Sequence, residues 1–196
     1  MTPLGKALSR IAGHLAGFEA PFALVGGLAV SARTEPRFTR DADIAVVVDS
    51  DEQAEALIYS LRAAGYSIAA LVEQEAVGRL ATVRLSPGDA DLSGIVVDLL
   101  FASSGIEPEV VQNAERIRVL ENIEVPVARV GHLIALKVLS RDDVKRPQDL
   151  IDLRALMKVT SDADLNQARS AMALIAKRGY ARGRDLLRDF ESLLRN

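Results

Sequence analysis

Cysteine is absent from this 196-residue sequence, and so is tryptophan. Without cysteine the chain has neither a disulfide framework nor a thiolate metal site, and it fits a reducing compartment. Only 4% of the residues are aromatic, which argues against a stacking surface for single-stranded nucleic acid. The two histidines, His14 and His132, are too few for a zinc site, so we interpret both as packing or surface residues.

Long hydrophobic runs are missing as well. No apolar run approaches the roughly 18 residues that a membrane-spanning helix needs. Residues 1–17 have the apolar spacing of an amphipathic helix and lack the pattern of a signal peptide. We therefore expect a cytoplasmic protein with no membrane partner.

Charge is distributed unevenly along the chain. Residues 1–136 carry 11 Lys and Arg against 18 Asp and Glu, a balance of −7, whereas residues 137–196 carry 13 against 9, a balance of +4. The basic last part favours an anionic partner, although a set of solvated helix faces would give the same balance.

Hydrophobic periodicity predicts an α/β (α+β) fold. We expect strands over residues 22–25, 41–48, 67–72, 81–85 and 94–101, a turn over 86–89, and two short strands within 117–130 with Pro126 at an edge. Helices are expected over about 4–16, 28–33, 51–64, 107–115, 131–140, from 147 onward, 162–177 and 184–194. This order predicts an α/β domain in residues 1–130 and a helical lobe in residues 131–196, packed against each other near residue 131.

Three acids stand in segments that otherwise look like buried strands. Asp41 and Asp43 are two residues apart, so they point to the same face of their strand. Asp98 lies in the middle of the run GIVVDLLF, where a water-exposed edge position is the alternative interpretation. If the two strands are neighbours, the three carboxylates form one cluster, which favours a hard cation bound by oxygen, above all magnesium.

A glycine pair, Gly26-Gly27, follows the first strand and opens a helix. Glycine lets the backbone turn sharply and approach a ligand closely, and the free N–H groups at the start of a helix attract anions. A Gly-Gly pair after a strand is weak evidence alone, because most such pairs are ordinary turns.

Taken together, these motifs resemble the nucleotidyltransferase superfamily, which has the fold of DNA polymerase beta. The resemblance implies the minimal nucleotidyltransferase fold, with a mixed sheet flanked by helices. Its signature is an apolar residue with Gly-Gly or Gly-Ser, a spacer, an acid–apolar–acid triplet and a distant third acid. The chain is most similar to the AbiEii/AbiGii-type toxin nucleotidyltransferases, through GGLAVSAR, FTRDADI, VVDLL, HLIALKVLSR and KRPQDLIDL. Gly27 stands where many relatives have serine, and residues after about 155 carry no matching motif.

The resemblance implies transfer of a nucleoside monophosphate from a nucleoside triphosphate (NTP) to an acceptor hydroxyl. Asp41, Asp43 and Asp98 would be catalytic and would bind two Mg²⁺ ions, and Gly26 and Gly27 would approach the triphosphate. RNA, such as a tRNA end, is the expected acceptor, and a cognate antitoxin is a possible partner. A small hydroxyl compound of the antibiotic type, or a non-catalytic nucleotide-binding or antitoxin-like module, are the alternatives.

Three further residues are assigned with the same resemblance in view. Lys137 and Asp149 match positions around the nucleotide, with Lys137 also a catalytic candidate, and Arg40 could contact a phosphate. Each has a structural alternative. Lys137 could extend from a buried helix to solvent, Asp149 could favour the start of its helix through the helix dipole, and Arg40 could be an ordinary surface arginine.

Overall fold

The computed structural model describes residues 1–74 and 78–195. The predicted helical lobe ends at Asn196, which lies outside these residues. The described strands are β1 (Phe22–Val25), β2 (Asp41–Val46), β3 (Tyr66–Gln74), β4 (Arg79–Pro87), β5 (Val96–Leu100), β6 (Glu115–Leu120) and β7 (Ile123–Val127). They form one mixed sheet in the order β3-β4-β5-β2-β1-β7-β6.

Helices precede, interrupt and follow the sheet. They are α1 (Pro3–Gly17), α2 (Gly26–Arg33), α3 (Asp51–Ala63), α4 (Glu107–Gln112), α5 (Val130–Ser140), α6 (Pro147–Val159), α7 (Asp162–Lys177) and α8 (Leu186–Leu194). The stripe Leu8, Ile11 and Leu15 of α1 is fully buried in the core. The last four helices are contiguous in sequence, and α5 packs against α6, α7 and α2. The α/β class is therefore confirmed, while the division into two domains at residue 130 stays a prediction.

Several predicted element boundaries differ from the observed ones by a few residues. Helix α2 begins at Gly26 itself, two residues before the predicted start, and strand β2 ends at Val46. The predicted turn over residues 86–89 begins too early, because Ser86 and Pro87 still pair with β3. The helix predicted over residues 107–115 ends at Gln112, and β6 follows almost at once.

Pro126 does not lie on an edge strand, which corrects another prediction. It belongs to β7, which lies between β1 and β6, and β6 forms the edge of the sheet. Proline lacks a backbone N–H and is normally excluded from such positions. Here it is tolerated because β7 pairs with β1 at a single position, Leu24 opposite Val127, so β1 does not need a hydrogen bond from Pro126.

Candidate active site

The parallel pairing of β2 with β5 places Asp43 directly opposite Asp98. Residues in register on neighbouring strands point to the same face of the sheet, and Asp41 shares that face because it is two residues from Asp43. Ala42 and Ile44, which alternate with these acids along β2, point to the opposite face and are fully buried in the core. The sheet therefore separates three acids on one face from the hydrophobic core on the other.

Gly26 lies against these acids at the junction of β1 and α2. Its φ is +64°, a left-handed conformation that favours glycine, and a Cβ at this position would collide with the carboxylate of Asp43. Both features exclude a side chain here. The glycine is thus required for the chain to turn into α2 while Asp43 occupies the adjacent space.

Burial and the neighbouring Asp98 raise the pKa of Asp43 to about 6. Asp98 itself is only 7% exposed. Both of its oxygens are engaged by Arg84 of β4, which donates from Nε to Oδ1 at 2.9 Å and from Nη2 to Oδ2 at 2.7 Å. The hydrogen bond to Asp98 and its charge raise the pKa of Arg84 in turn. The site holds more negative charge than Arg84 alone neutralises.

Binding of Mg²⁺ by Asp41, Asp43 and Asp98 stays a prediction. In the described parts of the chain, no group of three His, Cys, Asp or Glu side chains is arranged to hold a metal ion. Both oxygens of Asp98 accept hydrogen bonds from the Arg84 guanidinium. The donor set nevertheless suits a divalent cation, since it consists of carboxylate oxygens with unneutralised charge and a raised pKa at Asp43.

Lys137 forms the centre of a second, buried cluster. Its Nζ donates to Asp149 Oδ1 at 2.7 Å and lies 2.8 Å from Asp152 Oδ2. Lys137 and both acids are at most 7% exposed. The alternative in which Lys137 extends to solvent is therefore wrong. Asp149 also accepts a hydrogen bond from Ser140 and pairs with Arg146, so its position is explained by side-chain partners as well as by the helix dipole.

Three members of these clusters, Asp152, Arg37 and Arg84, were not predicted from the sequence. Asp152 follows Asp149 by three residues, which places both on one face of α6, and that spacing could have indicated it. It accepts hydrogen bonds from Arg37 Nε and Nη2 at 2.8 and 2.9 Å. Arg84 carried no such signal, because an arginine in a hairpin strand is an ordinary surface residue until its neighbour strand is known.

Most predicted site residues line one cleft of about 750 Å³. Its predicted members are Gly26, Gly27, Asp41, Asp43, Asp98, Lys137 and Asp149. Arg37, Arg84, Lys145, Arg146 and Arg182 add basic groups to the same lining. Arg40 is not part of this lining, because its guanidinium lies over the ring of Phe38, 5.4 Å from the centroid. The structure thus brings together all of the predicted residues except Arg40.

A nucleotidyltransferase is the class of enzyme that this fold and site define. The model of the family "Nucleotidyl transferase AbiEii toxin, Type IV TA system" matches residues 8–195. The chain therefore belongs to the AbiEii nucleotidyltransferase family. The predicted family and the predicted enzyme class are confirmed. No curated protein matches the sequence.

Solved structures with the same fold include two antibiotic-modifying enzymes. The lincosamide antibiotic adenylyltransferase LnuA, bound to lincomycin, aligns with a TM-score of 0.51 and 17% identity over 79% of this chain and 97% of its own. ANT(2")-Ia in complex with adenylyl-2"-tobramycin aligns with a TM-score of 0.55 and 14% identity over 89% and 97%. An antigenic nucleotidyltransferase-like protein from Paracoccidioides brasiliensis aligns with a TM-score of 0.55 and 15% identity, over 98% of this chain and 92% of its own. At these identities the similarity establishes the fold.

None of the helices in the described residues combines the length and the apolar character needed to cross a membrane.

Proposed function

We propose that the protein transfers a nucleoside monophosphate from an NTP to a hydroxyl group of an RNA, in a Mg²⁺-dependent reaction. The observation that carries this proposal is the register of Asp43 with Asp98 on β2 and β5, next to the glycine turn at Gly26. Carboxylate oxygens and a backbone that a phosphate can approach therefore lie side by side. The family assignment supports the same reaction class.

Each part of the cleft has a role in this reaction. The N–H groups at the start of α2 face the triphosphate, and the glycine pair lets the phosphates come close. Asp41, Asp43 and Asp98 would hold Mg²⁺, and when bound the cation would neutralise phosphate charge and stabilise the attacking and leaving oxygens. Asp98 accepts the proton of the acceptor hydroxyl. The hydroxyl oxygen forms a bond to the α-phosphorus, the bond from that phosphorus to the bridging oxygen breaks, and pyrophosphate leaves.

Arg84 must exchange its partner for this arrangement to form. Both of its contacts to Asp98 use oxygens that a cation would need. Its side chain is 49% exposed, so it can move to solvent or to an anionic substrate without a large cost of burial. The Lys137 cluster lies beside the same cleft, and its charges are paired and buried.

The charge of the cleft favours an anionic acceptor over a cationic one. Arg84 and Arg146 on the lining are paired with Asp98 and Asp149, whereas Lys145 and Arg182 are exposed and add basic charge to the cleft. A pocket for a polycationic aminoglycoside is expected to be acidic around the acceptor, whereas a nucleic acid backbone pairs with Arg and Lys. An RNA end such as that of tRNA satisfies this condition. A cognate antitoxin is the partner that the family name suggests.

Incubation with Mg²⁺, each α-labelled NTP and bulk tRNA tests this proposal. Label should appear on the RNA, and it should not appear on tobramycin or lincomycin offered in parallel. Label on either small compound with none on RNA would support the antibiotic-type alternative. Tight NTP binding with no transfer to any acceptor would support a non-catalytic nucleotide-binding module.

A further inference from the structure

The space beside Gly27 is occupied by the guanidinium group of Arg37. A Cβ built at Gly27 would overlap Nη2 of Arg37 and would lie 3.1 Å from its Cζ. Gly27 is the second residue of α2, and both residues line the cleft that also contains Asp41 and Asp43. A positive group therefore lies where a side chain of residue 27 would otherwise project, at the start of the helix.

The Arg37 guanidinium is held in this position by three hydrogen bonds to two partners. Its Nε and Nη2 donate to the two oxygens of Asp152, which is only 1% exposed, and its Nη1 donates to the carbonyl of Phe38 at 3.2 Å. Burial acts to raise the pKa of Asp152, but Arg37 and Lys137 outweigh it, so the pKa lies below its usual value. The ionised carboxylate thus fixes the guanidinium through a bidentate contact.

The guanidinium keeps unused donors for a ligand. An arginine has five N–H groups, and the described contacts of Arg37 use three of them. The remaining two belong to Nη1 and Nη2, which together form the fork that suits the oxygens of a phosphate. Asp152 also pairs with Lys137 Nζ at 2.8 Å. Its single negative charge is therefore shared between two cations and does not fully neutralise the Arg37 guanidinium.

We infer that Arg37 binds the triphosphate directly. Its guanidinium lies beside Gly27 and donates hydrogen bonds to the phosphates in place of a side chain at residue 27. This inference rests on the proposed function, since it requires a nucleotide in the cleft. Asp152 acts as a positioning residue, because it touches Arg37 and not the ligand. The arginine and the glycine then form a matched pair, in which the absence of one side chain makes room for the other.

Equilibrium binding of ATP, GTP, CTP, UTP and tripolyphosphate, measured by calorimetry with Mg²⁺ and no acceptor, tests this pairing. Arg37→Ala should weaken triphosphate binding roughly 10- to 100-fold, as expected for the loss of a charged hydrogen-bonding partner. Gly27→Ser alone should also weaken it, because the new side chain displaces Arg37. The double variant, which combines Gly27→Ser with Arg37→Ala, should bind triphosphates more tightly than Arg37→Ala alone, since the serine then fits and can donate to the phosphate.

The recovery in the double variant separates a ligand contact from a merely structural role. A serine at position 27 cannot restore the ion pair with Asp152, so a structural role for Arg37 predicts no recovery. Arg33→Gln is the matched control. Arg33 belongs to the same helix, but its partners are Glu115 and the carbonyls of Val127 and Ala128, so triphosphate binding should not change.

Three negative results are possible, and they have two different meanings. If the wild type binds triphosphates and Arg37→Ala binds them equally well, the inference is overturned while the proposed function stands. Equal affinities of Arg37→Ala and the double variant overturn it as well. If the wild type binds none of the five probes, the proposed function itself fails, and the inference fails with it.

Discussion

Asp43 and Asp98 face each other in direct register on the parallel strands β2 and β5. Burial and the charge of Asp98 raise the pKa of Asp43 to about 6. Two partly desolvated carboxylates on directly paired residues lower the stability of the folded chain, and Arg84 neutralises only one of them. The arrangement is costly for folding and useful for binding a cation, which is the usual balance at a functional site.

Asp43→Asn should abolish nucleotide transfer and stabilise the fold. The amide keeps the shape of the side chain and removes the repulsion with Asp98, so we expect a gain of about 1–2 kcal/mol in the free energy of unfolding at neutral pH. Urea denaturation in EDTA measures this gain. A variant that retains full transfer activity would show that Asp43 is not a ligand, and a clear loss of stability would contradict the repulsion.

Gly26→Ala should remove activity while the protein remains folded. Alanine is strained at a φ of +64°, and its Cβ collides with the carboxylate of Asp43. We therefore expect the free energy of unfolding to fall by about 1–3 kcal/mol and Asp43 to be displaced. Gly13→Ala is the control, because a Cβ there has nothing within 4 Å. Within a helix that control should be neutral or stabilising. Equal behaviour of the two variants would argue against the close approach of Gly26 and Asp43.

Lys137→Met should destabilise the protein by about 3 kcal/mol. It removes the ammonium group shared by Asp149 and Asp152, both of which are at most 2% exposed, and leaves their charges less compensated. Lys158→Met, at an exposed position on the same lobe, should change stability by less than about 0.5 kcal/mol. Thermal or urea unfolding of both variants gives the comparison. A small effect at Lys137 would show that the acids do not depend on it.

Acidification should reduce stability through His132. Burial lowers the pKa of His132 to about 4 from its usual value of 6.5. Between pH 6.5 and 4 the unfolded chain therefore binds a proton that the folded chain does not, so the free energy of unfolding falls as the pH falls. The difference in stability between the wild type and His132→Gln should change over this window in favour of the variant. A constant difference from pH 7 to pH 4 would contradict this pKa.

Local patterns predicted most of the fold, and tertiary context decided the rest. The first strand, residues 22–25, was predicted to the residue, because apolar residues flanked by Pro21 and Gly26 leave little choice. The position of Pro126 could not be predicted in the same way. Whether a proline is tolerated inside a sheet depends on how many hydrogen bonds the neighbouring strand requires, and this is known only when the pairing of β1 with β7 is known.

The site was predictable where the chemistry contradicted the local pattern. Acids in apolar strands stand out, so Asp43 and Asp98 could be selected from the sequence and their shared face anticipated. Their partners could not, because Arg84 and Arg37 are ordinary residues whose role depends on long-range contacts. The structure therefore adds the counter-charges to a set of acids that the sequence already contained, and it removes Arg40 from the cleft lining.

The most direct test of the proposed nucleotide transfer compares α-labelled with γ-labelled NTP in the presence of Mg²⁺ and RNA. We expect label on the RNA from the α-position only, with one pyrophosphate released per transfer, and neither label nor pyrophosphate with Asp43→Asn. Transfer from the γ-position, or equal transfer by wild type and variant, would contradict it.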